Sequence, residues 1–200
     1  MQLLLASSSP YRRALLARLG VEFGHCAPAI DESPQPEETA QALVRRLAEA
    51  KARTAATRHP KHLILGSDQA AADGLEIINK PGSPSQAHEQ LARLSGRRVT
   101  FFTGLCVFDP ATDTAATDVV ATEVVYRQLS EVDIARYLAR EPAHDCAGSV
   151  KVEGLGILLF DAINSSDPTA LIGLPIIRLR QLLAGFGYDL FNPENGGSTD

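Results

Sequence analysis

The hydrophobic pattern of this chain changes period several times, and each change predicts an element. Gln2–Ala6, apolar from Leu3 onward, reads as a short buried strand. Ser7-Ser8-Ser9-Pro10 follows, and Tyr11–Leu19 carries Ala14, Leu15 and Leu19 on one helical stripe before Gly20. Ser9 suits an N-cap and Pro10 the first helical position. Val21–Ala27 reads as a second strand, and Pro28–Pro36 as a loop. Glu37–Arg58 is the longest helical pattern, with Leu43, Leu47 and Ala50 on one face. His62–Gly66 reads as a strand ending at Ser67-Asp68-Gln69, and Asp73-Gly74 as a turn. Pro84–Ser95 is predicted helical. Val99–Phe108 and Thr117–Gln128 are β-rich and joined through Asp109–Asp113, as in a long hairpin. Ser130–Leu138 is a helix with Ser130 and Asp133 spaced as a capping box. Gly154–Phe160 reads as a strand and Pro175–Ala184 as a closing helix.

Strands and helices in this mixed order predict an α/β fold: a mixed sheet with flanking helices, and two lobes with a cleft between them. Residues 1–190 form one expected domain. Residues 191–200, polar and Gly-rich, are expected to be a flexible tail. With 200 residues, 44% hydrophobic and 22% charged, the composition excludes a largely disordered chain. No stretch nears the roughly 18 apolar residues of a membrane span. The N-terminus lacks a signal-peptide pattern. A net charge of −5 argues against a broad nucleic-acid binder. Three cysteines, Cys26, Cys106 and Cys146, are far apart and lack zinc-site spacing. They read as reduced core thiols of a cytoplasmic protein.

Polar residues with chemical potential sit near expected strand ends or in loops: Ser7, Arg12, Arg13, Glu32, Lys51, Asp68, Lys80, Lys151 and Glu153. Cations with a helix N-terminus and a few carboxylates suit a polyphosphate and a divalent ion. Singly, each has a plainer reading. Arg12-Arg13 describes a solvated helix face, and Lys51 a surface lysine. Asp68 serves a turn as readily as a catalytic carboxylate.

Taken in order, the segments resemble a known family. They are Leu5–Arg13 (LASSSPYRR), Asp31-Glu32, Arg46–Ala52 (RLAEAKA), Gly66–Gln69 (GSDQ), Asn79-Lys80-Pro81, Thr103-Gly104, Ala147–Ser149, Glu153-Gly154 and Leu171–Pro175 (LIGLP). Their collinear order from Leu3 to about Phe186 resembles the Maf family of nucleotide pyrophosphatases. The resemblance implies an elongated, two-lobed fold like that of inosine triphosphate pyrophosphatase, with a central cleft. It also implies a cytoplasmic hydrolase, often a homodimer, that uses a divalent cation (Mg²⁺ or Mn²⁺). Such an enzyme cuts nucleoside triphosphates to monophosphate and pyrophosphate. Neither nucleic acid nor membrane is an implied partner.

Within the family the chain is similar to the 7-methylguanosine triphosphate branch. Tyr11 follows Pro10 where the dTTP/UTP branch has arginine. Gln69 follows Asp68 where that branch has threonine, and Glu153 stands where it has glutamine. An aromatic face attracts the cationic methylated base, and a carboxylate accepts from its N–H groups. The resemblance implies Asp68 as proton acceptor, with Lys51 and Lys80 as catalytic cations and Ser7 and Arg12 on the phosphates. Glu32 and Asp68 would hold the metal, and Tyr11, Gln69 and Glu153 would choose the base. The competing expectations are a pyrophosphatase for dTTP, UTP or another modified nucleotide, and a non-enzymatic, septum-linked nucleotide-binding protein.

Overall fold

A computed structural model describes residues 1–192. The expected tail therefore lies, from residue 193 on, outside the described residues. Seven strands form one mixed sheet: β1 (Gln2–Ala6), β2 (Phe23–Cys26), β3 (His62–Asp73), β4 (Glu76–Ile78), β5 (Arg98–Asp109), β6 (Thr114–Tyr126) and β7 (Phe160–Ser165). The order is β2-β1-β3-β5-β6-β7, with β4 pairing β3. β1 runs parallel to β2 and β3, and the remaining pairs are antiparallel. Five α-helices pack around it: α1 (Pro10–Ala17), α2 (Ala40–Ala56), α3 (Pro84–Leu94), α4 (Glu131–Arg140) and α5 (Ile176–Gly185).

The local signals act as expected at several boundaries. Ser9 accepts from the Arg12 N–H and caps α1, and Ser130 with Asp133 forms the capping box of α4. α2 starts later than its periodicity suggests. Thr39 is its N-cap, and Glu37 has a left-handed φ of 60° that no helix interior adopts.

Two expectations need correction. β3 does not end at Gly66 but runs on to Asp73, because β5 pairs with it continuously from Ile64 to Ala72. Asp68 is thus a mid-strand residue. The Gly154–Phe160 segment is not a strand: Leu155–Leu159 is a 3₁₀ turn and β7 begins at Phe160. The chain folds back tightly here, with the Gly154 and Gly156 N–H groups both donating to Lys151 O. A Cβ on Gly156 would lie 2.5 Å from that carbonyl oxygen, so only glycine fits.

The core is divided into clusters. Around β1 and β3, Leu3, Leu5, Leu63 and Leu65 pack toward α1 and α5. Leu4, Ala6 and Ile64 pack toward the alanines of α2 on the other face. A separate cluster joins α3 and α4 to the far end of the sheet through Leu91, Leu94, Phe101, Tyr126 and Ile134. Full burial of a leucine side chain is worth about 1.5–3 kcal/mol, so each part has a substantial apolar anchor.

The sheet contains a gap. On one edge of β3, β1 pairs as far as Gly66 and β4 begins only at Ala71. Ser67, Asp68, Gln69 and Ala70 therefore have a strand neighbour on the β5 side alone. This gap is the floor of a cavity.

Candidate active site

The cavity has a volume of about 590 Å³, within the usual size of small-molecule sites. All nine residues assigned to the site from sequence line it: Ser7, Tyr11, Arg12, Glu32, Lys51, Asp68, Gln69, Lys80 and Glu153. Arg13 does not. It points away, with a guanidinium nitrogen 3.1 Å from the His25 ring.

Close packing of α2 on the sheet delivers Lys51. A Cβ on Gly66 would approach Ala48 O to 2.0 Å, and one on Gly104 would approach Val44 O to 2.2 Å. Glycine at both places lets the helix settle on β3 and β5, so Lys51 reaches the cavity while only 6% exposed. Its Nζ lies 2.6 Å from Asp68 Oδ1 and 2.7 Å from Glu32 Oε1. Asp68 is buried and Glu32 projects from the Pro-rich loop. Burial pushes the Glu32 carboxyl up, but the Lys51 hydrogen bond and charge, with Lys80 and Arg12, hold it below the ordinary range. Glu32 is therefore ionised at neutral pH. Asp68 bonds Lys51 through Oδ1, and Oδ2 has no hydrogen-bond partner among the described residues.

Arg12 closes one end of the sheet gap. Its Nε donates to Gly173 O at 2.8 Å, and one terminal nitrogen donates to Ser67 O at 3.0 Å and Ser7 Oγ at 3.2 Å. Burial pulls its pKa below the usual value, opposed by the Asp68 and Glu32 charges. Two expected phosphate donors are already engaged: the Ser9 N–H goes to Ser7 Oγ and the Arg12 N–H to Ser9 Oγ. Lys80 is exposed on the opposite wall, with no ion pair or hydrogen bond among the described residues.

The other end of the cavity is built from the segment that carries Asp145, Cys146 and Glu153, together with Tyr11 of α1. Tyr11 is half-buried there. Burial raises its phenol above the usual value, Lys151 opposes this, and the Glu153, Cys146 and Asp145 positions add to it. Glu153 is exposed on the wall. Its carboxyl is held above the usual 4.5, by desolvation first and by Glu141 next, with its own backbone N–H and Lys151 pulling the other way. Lys151 pairs with Asp145 at 3.7 Å, not with Glu153, so the Glu153 carboxylate is not consumed by a surface ion pair. Cys146 also lines this end. Burial and Asp145 push its thiol up to about 12, which leaves it neutral and unreactive at pH 7.

Sequence reading missed Asp145 and Cys146, which stand in a segment without a periodic signal. It also gave no role to Ser67, Thr103 or the Leu171–Pro175 segment. Ser67 and Thr103 are fully buried hydroxyls that donate to Gly173 O and Ala170 O, both at 2.8 Å. A polar residue amid an apolar strand was the available signal.

Glu32 and Asp68 offer hard oxygen donors that meet at the Lys51 ammonium. Among the described residues no group of three or more His, Cys, Asp or Glu is assembled to hold a metal ion. Two carboxylates completed by water and phosphate oxygens are what Mg²⁺ ordinarily takes, so the donor set fits such an ion.

Comparison with known proteins gives the family. The family described as Maf-like protein matches residues 2–186. A protein of Nitrosococcus oceani named 7-methyl-GTP pyrophosphatase is 50% identical over 186 residues, 93% of this chain and 94% of the relative. One of that name from Pseudomonas fluorescens is 51% identical over 187 residues, covering 94% and 97%. Another from Alkalilimnicola ehrlichii is 50% identical over 192 residues, 96% of each. A family match across residues 2–186, joined to relatives about 50% identical over nearly the whole chain, makes this chain a member of the Maf-like protein family.

Proposed function

We propose that this protein hydrolyses 7-methyl-GTP to 7-methyl-GMP and pyrophosphate, removing a modified nucleotide from the pool. The observation that carries the reading is the cavity's two-ended chemistry. Cations and two carboxylates occupy one end, and an aromatic ring with a carboxylate that has no ion pair among the described residues occupies the other.

The triphosphate carries up to four negative charges, which must be offset before a nucleophile approaches. Lys51, Lys80, Arg12 and Ser7 supply positive charge and donors at the gap in the sheet. Bound phosphate draws the Lys51 ammonium into a shared network with Glu32 and Asp68. Asp68 Oδ2 accepts the proton of the attacking water as it adds in line to the α-phosphorus, and pyrophosphate leaves. Glu32 and Asp68 would hold a Mg²⁺ or Mn²⁺ ion. Such an ion, when bound, neutralises phosphate charge and lowers the pKa of coordinated water. Asp68 stays poised because Lys51 fixes its other oxygen.

At the far end Tyr11 gives the methylated cation a π face. Glu153 accepts from guanine N–H groups, and its charge complements the cationic base. Two acidic positions there, Glu153 and Asp145, suit a cationic base better than a neutral pyrimidine. Cytoplasmic residence and a homodimeric state belong to the same proposal. Among the described residues no helix is long and apolar enough to cross a membrane.

The test is incubation with 7-methyl-GTP, GTP, dTTP and UTP in Mg²⁺ or Mn²⁺, with the phosphate product identified. Pyrophosphate released fastest from 7-methyl-GTP is the expected result. Orthophosphate release, or a preference for dTTP or UTP, overturns the assignment. Binding without turnover would favour the septum-linked binding protein.

A further inference from the structure

Gln69 follows Asp68 on β3 and faces Thr103 across the β3–β5 ladder. Its Nε2 lies 3.0 Å from Ala170 O, 3.0 Å from Leu171 O and 3.1 Å from Thr103 Oγ1. A backbone carbonyl only accepts. Thr103 Oγ1 commits its proton to Ala170 O at 2.8 Å, so toward Gln69 it too can only accept. Three acceptors therefore surround one end of the amide, and that end must be the NH₂. Reversing the amide would set its oxygen against three oxygens.

The turn that supplies these carbonyls is itself held in place. Gly173, with φ 115°, donates its N–H to Ala170 O at 2.9 Å. Gly173 O accepts from Arg12 Nε and Ser67 Oγ, each at 2.8 Å. Gln69 Oε1 is left without a hydrogen-bond partner among the described residues, and Gln69 lines the cavity.

We propose that Thr103 and the Ala170–Gly173 turn lock the Gln69 amide in one polarity. Gln69 then presents an acceptor, and never a donor, to the nucleobase, and selects a base whose edge carries an amino group. Thr103 is a positioning residue in this scheme, acting through Gln69. The inference rests on the reading that the cavity holds a nucleotide. Glutamine is usually adaptable because it can offer either end; here the fold has removed the choice. A purine with both a ring N–H and an exocyclic amine matches two acceptors, Gln69 and Glu153. A uracil edge sets a carbonyl on each side of its single N–H and mismatches them.

The experiment compares 7-methyl-GTP with 7-methyl-ITP, which lacks the exocyclic amine, on the wild type, Gln69→Glu, Gln69→Leu and Thr103→Val. The readouts are KM, kcat and thermal midpoint. Wild type is expected to favour the amino-bearing base by about three- to tenfold, the range of one hydrogen bond. Gln69→Leu should bring that ratio within about twofold of parity. Thr103→Val should raise KM for 7-methyl-GTP while leaving kcat unchanged, a split that a merely structural residue would not produce. Gln69→Glu is the decisive variant. A carboxylate has an extra charge for a cationic base, yet it cannot donate to Ala170 O and Leu171 O. Weaker binding and a lower thermal midpoint are expected. Binding equal to or tighter than wild type at an unchanged midpoint overturns the lock. If Gln69→Glu does not fold, the ratio in Gln69→Leu decides alone, and an undiminished ratio overturns the proposal. Preference for another amino-bearing nucleotide, with these variant effects intact, would overturn the substrate reading and leave the lock standing. No turnover of any nucleotide by the wild type would overturn both.

Discussion

The two ends of the cavity are built differently. At the phosphate end, Asp68, Arg12 and Lys51 come from β3, α1 and α2, while Ser7, Glu32 and Lys80 come from loops, and the main cation is buried. Lys51 makes two ion pairs below 3 Å, and Arg12 holds two backbone carbonyls. At the base end, Glu153 is exposed on a loop, and Lys151 and Asp145 meet only at 3.7 Å. Rigid elements place groups that every nucleoside triphosphate needs. A loop carries Glu153, proposed to tell one base from another, where a substitution disturbs little packing. Tyr11 on α1 and Gln69 on β3 are the exceptions: the proposal has them read the base from rigid elements.

This contrast predicts graded consequences. The largest is for Asp68→Asn, which keeps an acceptor for Lys51 but cannot take a proton from water. Turnover should fall by about 10²–10⁴-fold for every substrate, with the thermal midpoint little changed. Retention within about threefold would place the base elsewhere. Lys51→Ala should reduce kcat/KM by about 10- to 150-fold, the range of a charge-assisted hydrogen bond, and by similar factors for all bases. It should also lower the thermal midpoint, because Asp68 loses its counter-charge. Lys80→Ala should share the uniformity across bases without the loss of stability, since Lys80 is exposed. A strongly base-dependent loss in either lysine variant would break the division between the two ends.

The base end should behave in the opposite way. Glu153→Gln is expected to lower kcat/KM for 7-methyl-GTP by about 10- to 150-fold. Pyrimidine triphosphates should gain relative to it, and the thermal midpoint should hold. Equal losses for purines and pyrimidines would make Glu153 part of catalysis or folding. Tyr11→Ala should cost less, about 0.5–2 kcal/mol, and should hurt the methylated cation more than neutral GTP.

The smallest effect is on pH dependence. The folded Glu153 carboxyl is held above its ordinary 4.5, so it gains a proton earlier on acidification. The charge that favours the methylated base is present above that raised value and is lost as pH falls through it. The 7-methyl-GTP to GTP ratio should therefore decline before an ordinary carboxylate would titrate, and Glu153→Gln should flatten the profile. Because the folded pKa is raised, the ionised Glu153 detracts from stability above its unfolded value, and protonation relieves that cost. The wild type should thus lose stability on acidification less steeply than Glu153→Gln.

Much of this was legible along the chain. Caps at Ser9 and Ser130, the apolar run of β1 and the hairpin of β5 and β6 are local events. They depend on neighbouring residues, and the local pattern predicts them. The nine residues that line the cavity together were also picked out, because short motifs in a fixed order carry chemistry that single residues do not. Three matters were decided only by tertiary structure. Asp68 looked like a strand-end residue, yet it is mid-strand; the open side comes from β1 stopping at Gly66, which no local pattern encodes. Lys51 looked like a surface lysine on an amphipathic helix. It is buried because Gly66 and Gly104, far away in sequence, let α2 sit against the sheet. The Gln69 amide has a polarity only because Ala170 and Leu171, about a hundred positions later, turn their carbonyls toward it. Local propensity acts over a few residues. The direction of a donor or acceptor, and the burial of a charge, depend on what the fold brings from a distance.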